Sequence, residues 1–148
     1  MANPDLAEPI RTALINASFT LLPTYKGALT IFTRRPVPSD APYPMVVISP
    51  DISQTSNDGL NDQQPVVRRD VTVYGQNDTS VKYRVVEDLA YQIQDYFHRQ
   101  RQTLTVSTWH VVGITAGGPN IAPTDDDNIV ARVIPLMISL AKKAQYGP

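Results

Sequence analysis

The strongest hydrophobic pattern is a stripe of apolar residues at helical spacing in the second half of the chain. Its members are Val85, Val86, Leu89, Ile93, Tyr96 and Phe97, and the polar residues of this segment fall outside the stripe. The pattern predicts an amphipathic helix from about Val81 to Arg99. Asp78 or Ser80 would cap its N-terminus, while Arg99 and Arg101 suit the negative end of the helix dipole.

A second helix is predicted near the N-terminus. Asp5 and Glu8 have the spacing of a capping box, and apolar residues then recur at helical spacing: Leu6, Ile10, Ala13, Leu14 and Ala17. Pro9 removes a backbone hydrogen bond. A start at Asp5, which confines this defect to the first turn, is therefore favoured over a start at Asn3. We expect Pro23 to close the segment.

The rest of the pattern predicts strands and loops. The strands are expected at Ala28 to Phe32, Met45 to Ser49, Val66 to Gly75, Leu104 to Thr115 and Ile129 to Ala141. Proline-rich Arg34 to Pro44 is expected to be an extended crossing loop, and Ala116 to Asn128 a loop. These elements predict an α+β fold, a mainly antiparallel sheet packed by two helices.

The last strand is apolar on both faces. One face carries Val130, Ile134, Leu136, Ile138 and Leu140, interrupted by Arg132, and the other carries Ile129, Val133 and Met137. Such a strand is either covered on both sides or buried against another subunit, so Met137 is a candidate contact residue. Pro135 implies a bulge or an edge position.

A long polar segment, Pro50 to Pro65, separates two predicted strands. If those strands pair, the segment is a hairpin arm that projects from the sheet. Loops of this length are functional or disordered, and idle disorder stays open as the alternative. We take Ile52, Asp58 and Leu60 as the candidate contact residues of the arm.

Two charged groups are further candidates for binding. Arg68 and Arg69 adjoin on a strand and must point to opposite faces, where each is either structurally paired or part of an interface. Asp125 to Asp127 lack the alternating pattern of a calcium loop. A solvated loop that meets a basic partner surface is favoured over a cation site. We take Asp126 as the candidate contact residue of this loop.

Composition and motifs argue against catalysis. The chain has 148 residues, a net charge of -1 and no cysteine, which indicates one domain over residues 1–148 and excludes disulfides and thiol chemistry. No signal peptide or membrane span is visible, so synthesis in a cytoplasm is expected. His98 and His110 have no metal-binding spacing, and structural or surface roles are favoured. We expect no enzyme activity, cofactor or metal.

Three segments carry a resemblance to a known family: Ala41 to Val47, Val67 to Gly75, and the helix Val85 to Phe97 after a polar turn. Together they resemble the tail-terminator (tail-completion) proteins of long-tailed bacteriophages, and Ile129 to Ala141 lies where that family closes its sheet. The resemblance implies an α+β virion protein that forms a hexameric ring, caps the tail tube and provides the surface for head joining.

The implied partners are copies of the chain, the tail tube protein and the head–tail connector protein. DNA is expected to pass through the ring without specific binding, because a net charge of -1 gives no bulk attraction to phosphates. Two other classes stay open. One is a different head–tail connector or neck component, and the other is a ligand-binding or enzymatic domain, which needs a pocket with convergent polar groups.

Overall fold

The computed structural model describes residues 6–33, 37–49, 53–56, 65–76, 82–124 and 128–142. Within these ranges it has two α-helices, α1 (Ala7–Ala17) and α2 (Lys82–Phe97), and a 3-10 helix (Arg101–Thr103). The strands are β1 (Thr24–Tyr25), β2 (Ala28–Leu29), β3 (Ile31–Phe32), β4 (Met45–Ile48), β5 (Ser53–Ser56), β6 (Pro65–Gln76), β7 (Trp109–Ala116), β8 (Asn120–Ala122) and β9 (Ile129–Lys142). Neither α-helix is long and apolar enough to cross a membrane.

One large sheet organises the chain, with the strand order β3-β4-β6-β9-β7. Strand β5 also pairs with β6, beyond the end of β4, and β8 pairs with β9, beyond the end of β7. The pairs of this sheet are antiparallel except β3–β4, which is parallel, and β1 and β2 form a separate small hairpin. The predicted α+β fold with a mainly antiparallel sheet is confirmed.

The main core lies between one face of this sheet and the two helices, and we call that face the inner face. Alternate residues of β6 and β9 point toward it, including Val67, Val71, Ile134, Leu136 and Ile138, each fully buried. The predicted stripe of α2 supplies Val86, Leu89, Ile93 and Phe97 to the same cluster. Full burial of such a side chain contributes roughly 1.5–3 kcal/mol.

Both helices are shorter than predicted. Helix α1 begins at Ala7, with Leu6 as an N-cap that makes no side-chain cap bond, and Pro9 falls in the first turn as expected. It ends at Ala17, before the predicted stop at Pro23, because Ser18 turns into the left-handed region with φ +53°. Helix α2 ends at Phe97 because the chain turns left-handed at Arg99, with φ +60°. The predicted cap residues Asp5, Asp78 and Ser80 lie outside the described residues.

Three predictions for strands and loops were wrong. Ser53–Ser56 of the supposed loop is strand β5, and Asn120–Ala122 is strand β8. The predicted strand from Leu104 begins only at Trp109, since Arg101–Thr103 is a 3-10 helix and the N–H of Trp109 closes a turn on the carbonyl of Val106. Short strands of low apolarity give little local signal, because the neighbouring strand supplies their hydrogen bonds.

Pro135 causes no bulge toward β6, because the register between β6 and β9 is unbroken at the pair Asp70–Pro135. It lies opposite the gap between the end of β7 and the start of β8, where its carbonyl accepts a hydrogen bond from the N–H of Gly117. The position is therefore locally an edge, as the sequence predicted, and the missing proline N–H costs the sheet no ladder bond. The bulge is instead on β7, at Val112.

Candidate functional site

The face of β6 and β9 that points away from the helices is only partly covered, and we call it the outer face. Its cross-strand pairs include Arg68–Met137, Asp70–Pro135, Thr72–Val133 and Val66–Ser139. Most of these residues are half-buried, whereas Met137 is 39% exposed. At the β4 end of the same face Met45 and Val47 are buried. The surface available to a partner therefore centres on β6, β9 and β7.

Arg68 and Met137 lie directly opposite each other on the outer face. The Nε of Arg68 donates a hydrogen bond to Oδ1 of Asp70 at 3.2 Å, and the side chain stays 41% exposed. Arg68 and Asp70 thus form a salt bridge at the surface, and such a salt bridge contributes little to stability by itself. Arg68 and Met137 are thus the two predicted contact residues that the sheet brings together.

Arg69 lies on the inner face and is 7% exposed. Its Nη1 donates a hydrogen bond to the backbone carbonyl of Ser49 at 2.7 Å, and the hydroxyl of Ser49 accepts from the N–H of Asp70. A buried guanidinium needs such acceptors, because an unpartnered buried charge is strongly destabilising. Arg69 therefore ties β6 to the end of β4 and is not part of the outer face. The other predicted contacts, Ile52, Asp58, Leu60 and Asp126, lie outside the described residues.

A cleft lies between the outer face, beside β7, and the segment that follows α2. It has a volume of about 410 Å³. Arg99 and Arg101, from the segment after α2, line it together with Met137 and Ser139 of β9 and Thr115 of β7. None of its described lining residues is acidic. From the sequence alone, Arg99 and Arg101 are expected only to interact with the helix dipole. Their proximity to Met137 depends on tertiary packing and leaves no sequence signal.

The outer edge of β7 is covered by the end of α2. Nδ1 of His98 accepts a hydrogen bond from the N–H of Ala116 at 3.1 Å, and Nε2 of Gln94 donates to the Ala116 carbonyl at 3.1 Å. The backbone N–H of Arg99 donates to the Ile114 carbonyl at 2.9 Å. These bonds use the backbone groups that an added strand would need. His98 therefore has a structural role, as the sequence predicted.

Ile121 is an exposed apolar residue that the sequence pattern does not reveal, and it is 80% exposed on β8. A single isoleucine in a segment bounded by two prolines carried no periodic signal. The described residues contain no group of three or more His, Asp or Glu side chains able to hold a metal ion. Among the carboxyl groups that the structure describes, that of Asp40 has a displaced pKa. A hydrogen bond from the Tyr25 hydroxyl, 2.7 Å from Oδ1 of Asp40, lowers the pKa of Asp40, with a smaller contribution from Lys26.

Known proteins include a chain of similar fold but no matching family. No family model matches the chain, and no curated protein matches it. A solved structure described as the virion of a native gene transfer agent particle contains a chain with a TM-score of 0.72 and 12% sequence identity. The match covers 92% of this chain and 94% of that chain. At this identity the likeness shows that the two chains share a fold over nearly their whole lengths.

Proposed function

We propose that this chain is a structural protein of a virion, and that it caps a phage tail tube as a ring. The observation that carries the proposal is the shared fold: 92% of this chain superposes on a chain from the virion of a gene transfer agent particle. Small folds serve many functions, so the likeness alone is an argument by analogy. The residues of the outer face supply the independent support.

The outer face has the character of a protein contact surface. It combines half-buried apolar residues of β9 with the exposed Met137, and a row of polar groups on β6 borders it. Methionine and arginine are enriched in protein interfaces, and both occur here, as Met137 and Arg68. A second copy of the chain placed against this face would cover the side of β9 that the helices leave open.

The ionisable groups of the described residues argue against catalysis. Among these residues, the carboxylates of Glu8, Asp70 and Glu87 are each salt-bridged to an arginine. Asp40 is exposed, and the lowering of its pKa comes first from the Tyr25 hydrogen bond, with smaller contributions from a backbone hydrogen bond and Lys26. An active site needs titratable groups that converge in a cleft, and the arginine-lined cleft has no general base among its described lining residues. We therefore propose a binding and assembly role without enzyme activity.

In this proposal, copies of the chain form a hexameric ring on the last ring of the tail tube protein. The opposite surface of the hexamer receives the head–tail connector protein. DNA passes through the ring without specific binding, since a net charge of -1 gives no bulk attraction to phosphate groups. The protein would be made in the host cytoplasm and would end in the neck region of the virion.

Electron microscopy of assembled particles tests the proposal directly. Tails produced without this protein should vary in length and fail to join heads, and adding the purified protein should restore both properties. Density for the chain is expected as a ring between tube and connector. Density elsewhere in the neck would instead identify another connector component. Tails of normal length and infectivity without the protein would contradict the proposal.

A further inference from the structure

Two arginines line the cleft without a salt bridge to any described residue. Three other described arginines do form salt bridges: Arg11 lies 3.8 Å from Glu8, Arg68 lies 3.2 Å from Asp70, and Arg132 lies 3.0 Å from Glu87. Arg99 and Arg101 form no ion pair with any described residue, and both are exposed. Since no acidic residue appears among the described lining residues, the cleft is a cationic surface whose charge no described residue neutralises.

The backbone at Arg99 adds a second observation. Its φ of +60° lies in the left-handed region, which glycine occupies without the steric cost that a side chain brings. Glycine is common at this position after a helix. Strained residues concentrate at functional sites, where the side chain is needed despite the backbone cost.

The same chain carries an acidic segment of complementary charge. Asp125, Asp126 and Asp127 form its only run of three acidic residues. The segment joins β8 to β9, and its ends are held together because the Thr124 hydroxyl donates to the Ile129 carbonyl at 2.8 Å.

The described residues that flank the acidic segment lie far from the cleft along β9. The cleft lies beside Met137, which is eight positions along the extended strand from Ile129, a distance of roughly 26 Å. We propose that the arginine cleft receives the Asp125–Asp127 segment of a second copy of the chain. This inference rests on the ring proposed above and names the contact that would join neighbouring subunits.

The contact is directional, because it joins two different surfaces of the chain. Such heterologous contacts form a closed ring when the rotation between neighbours closes, and a filament when it does not. Each subunit would give its aspartates to one neighbour and its arginines to the other. Nucleic acid is a weaker candidate for the cleft, since two arginines are far from the basic stripe that follows a phosphate backbone.

Charge reversal on each side of the contact tests the inference. We expect Arg99→Asp/Arg101→Asp and Asp125→Lys/Asp126→Lys each to weaken self-association about tenfold or more, because like charges would then face each other. Aspartate tolerates the left-handed conformation at position 99, so the first variant should keep its fold, as circular dichroism can verify. The matched control, Arg11→Asp/Lys26→Asp, reverses two charges away from the cleft and should associate like the wild type.

Mixing the two variants provides the decisive measurement. Each variant offers the charge that the other lacks, so an equimolar mixture should assemble again, with the variants alternating and an even number of subunits in each ring. Native mass spectrometry of differently tagged variants reads this composition directly. As a second measurement, a peptide covering residues 123–130 should shift the amide resonances of Arg99 and Met137, and the same peptide with three asparagines should not.

The outcomes separate this inference from the proposed function. If the arginine variant assembles like the wild type, or if the mixture of impaired variants stays unassembled, the inference is overturned and the ring stands. If the arginine variant assembles normally but loses a salt-dependent affinity for DNA, the cleft is a nucleic-acid site and the inference is equally overturned. If the wild-type chain stays monomeric even with tail tubes, the proposed function fails as well.

Discussion

Arg132 of β9 reaches across the core edge to α2, where its Nη2 lies 3.0 Å from Oε1 of Glu87. Arg132 interrupts the apolar inner row that runs from Val130 to Leu140 of β9. Its side chain is 15% exposed, and its Nη1 also donates to the carbonyl of Ala131. The ion pair thus explains how a charge is accommodated beside the buried helix. It also joins the helix layer to strand β9.

The Arg132–Glu87 pair gives an asymmetric prediction for stability. Glu87→Ala leaves a mostly buried guanidinium without its carboxylate and should lower the free energy of unfolding by about 1 kcal/mol. Arg132→Met keeps the apolar stem, and Glu87, 41% exposed, can then be hydrated, so this change should cost less. Urea denaturation of both variants measures the difference. Equal losses, or a larger loss for Arg132→Met, would contradict this explanation.

Met137→Asp is predicted to impair self-association without unfolding the chain. The side chain is 39% exposed, so the folded monomer can hydrate the new carboxylate. In a subunit contact the carboxylate would be buried unpaired, or would pair with Arg99 and Arg101 and occupy their cleft. Sedimentation velocity with and without tail tubes measures the effect. Tyr91→Asp, at a residue 58% exposed on α2, is the control on the helix layer and should associate normally.

The polar arm gives a prediction about capping. Because Ser53–Ser56 pair with Pro65–Arg68, the segment to exchange for a short Gly-Ser linker is residues 57–64, which leaves β5 in place. We expect the fold to persist and capping to be lost, with tails of uncontrolled length. Thermal unfolding and electron microscopy of tails check the two parts. Infectious particles of normal tail length would contradict a role of the arm in capping.

The Tyr25–Asp40 hydrogen bond predicts a pH-dependent effect. Because the pKa of Asp40 is lowered below 3.8, its ionised form favours the folded state above pH 3.8, and this contribution is lost as the pH falls through the lowered value. Tyr25→Phe should raise the pKa of Asp40 toward 3.8. A titration followed by NMR at the Asp40 carboxyl carbon measures this, with Tyr91→Phe as the control. An unchanged pKa in Tyr25→Phe would exclude the hydroxyl as its cause.

The sequence by itself determined the elements whose periodicity is strong. The stripe of α2 and the alternation of β6 follow from the need to bury one face, so their positions could be read within a few residues. The two-faced character of β9 and the opposite orientation of Arg68 and Arg69 follow from the geometry of an extended strand. Arg34 to Pro44 was expected to be a loop, and residues 37–44 contain neither helix nor strand.

Only the tertiary structure decided which of these residues meet. Strands β5 and β8 form because long neighbouring strands offer unpaired backbone groups. Neither S-Q-T-S nor N-I-A carries a local sequence signal for a strand. The register placed Arg68 beside Met137, and packing against the helices turned Arg69 inward to Ser49. The left-handed turn at Arg99 brought two arginines to Met137, a proximity set by contacts between residues distant in the chain.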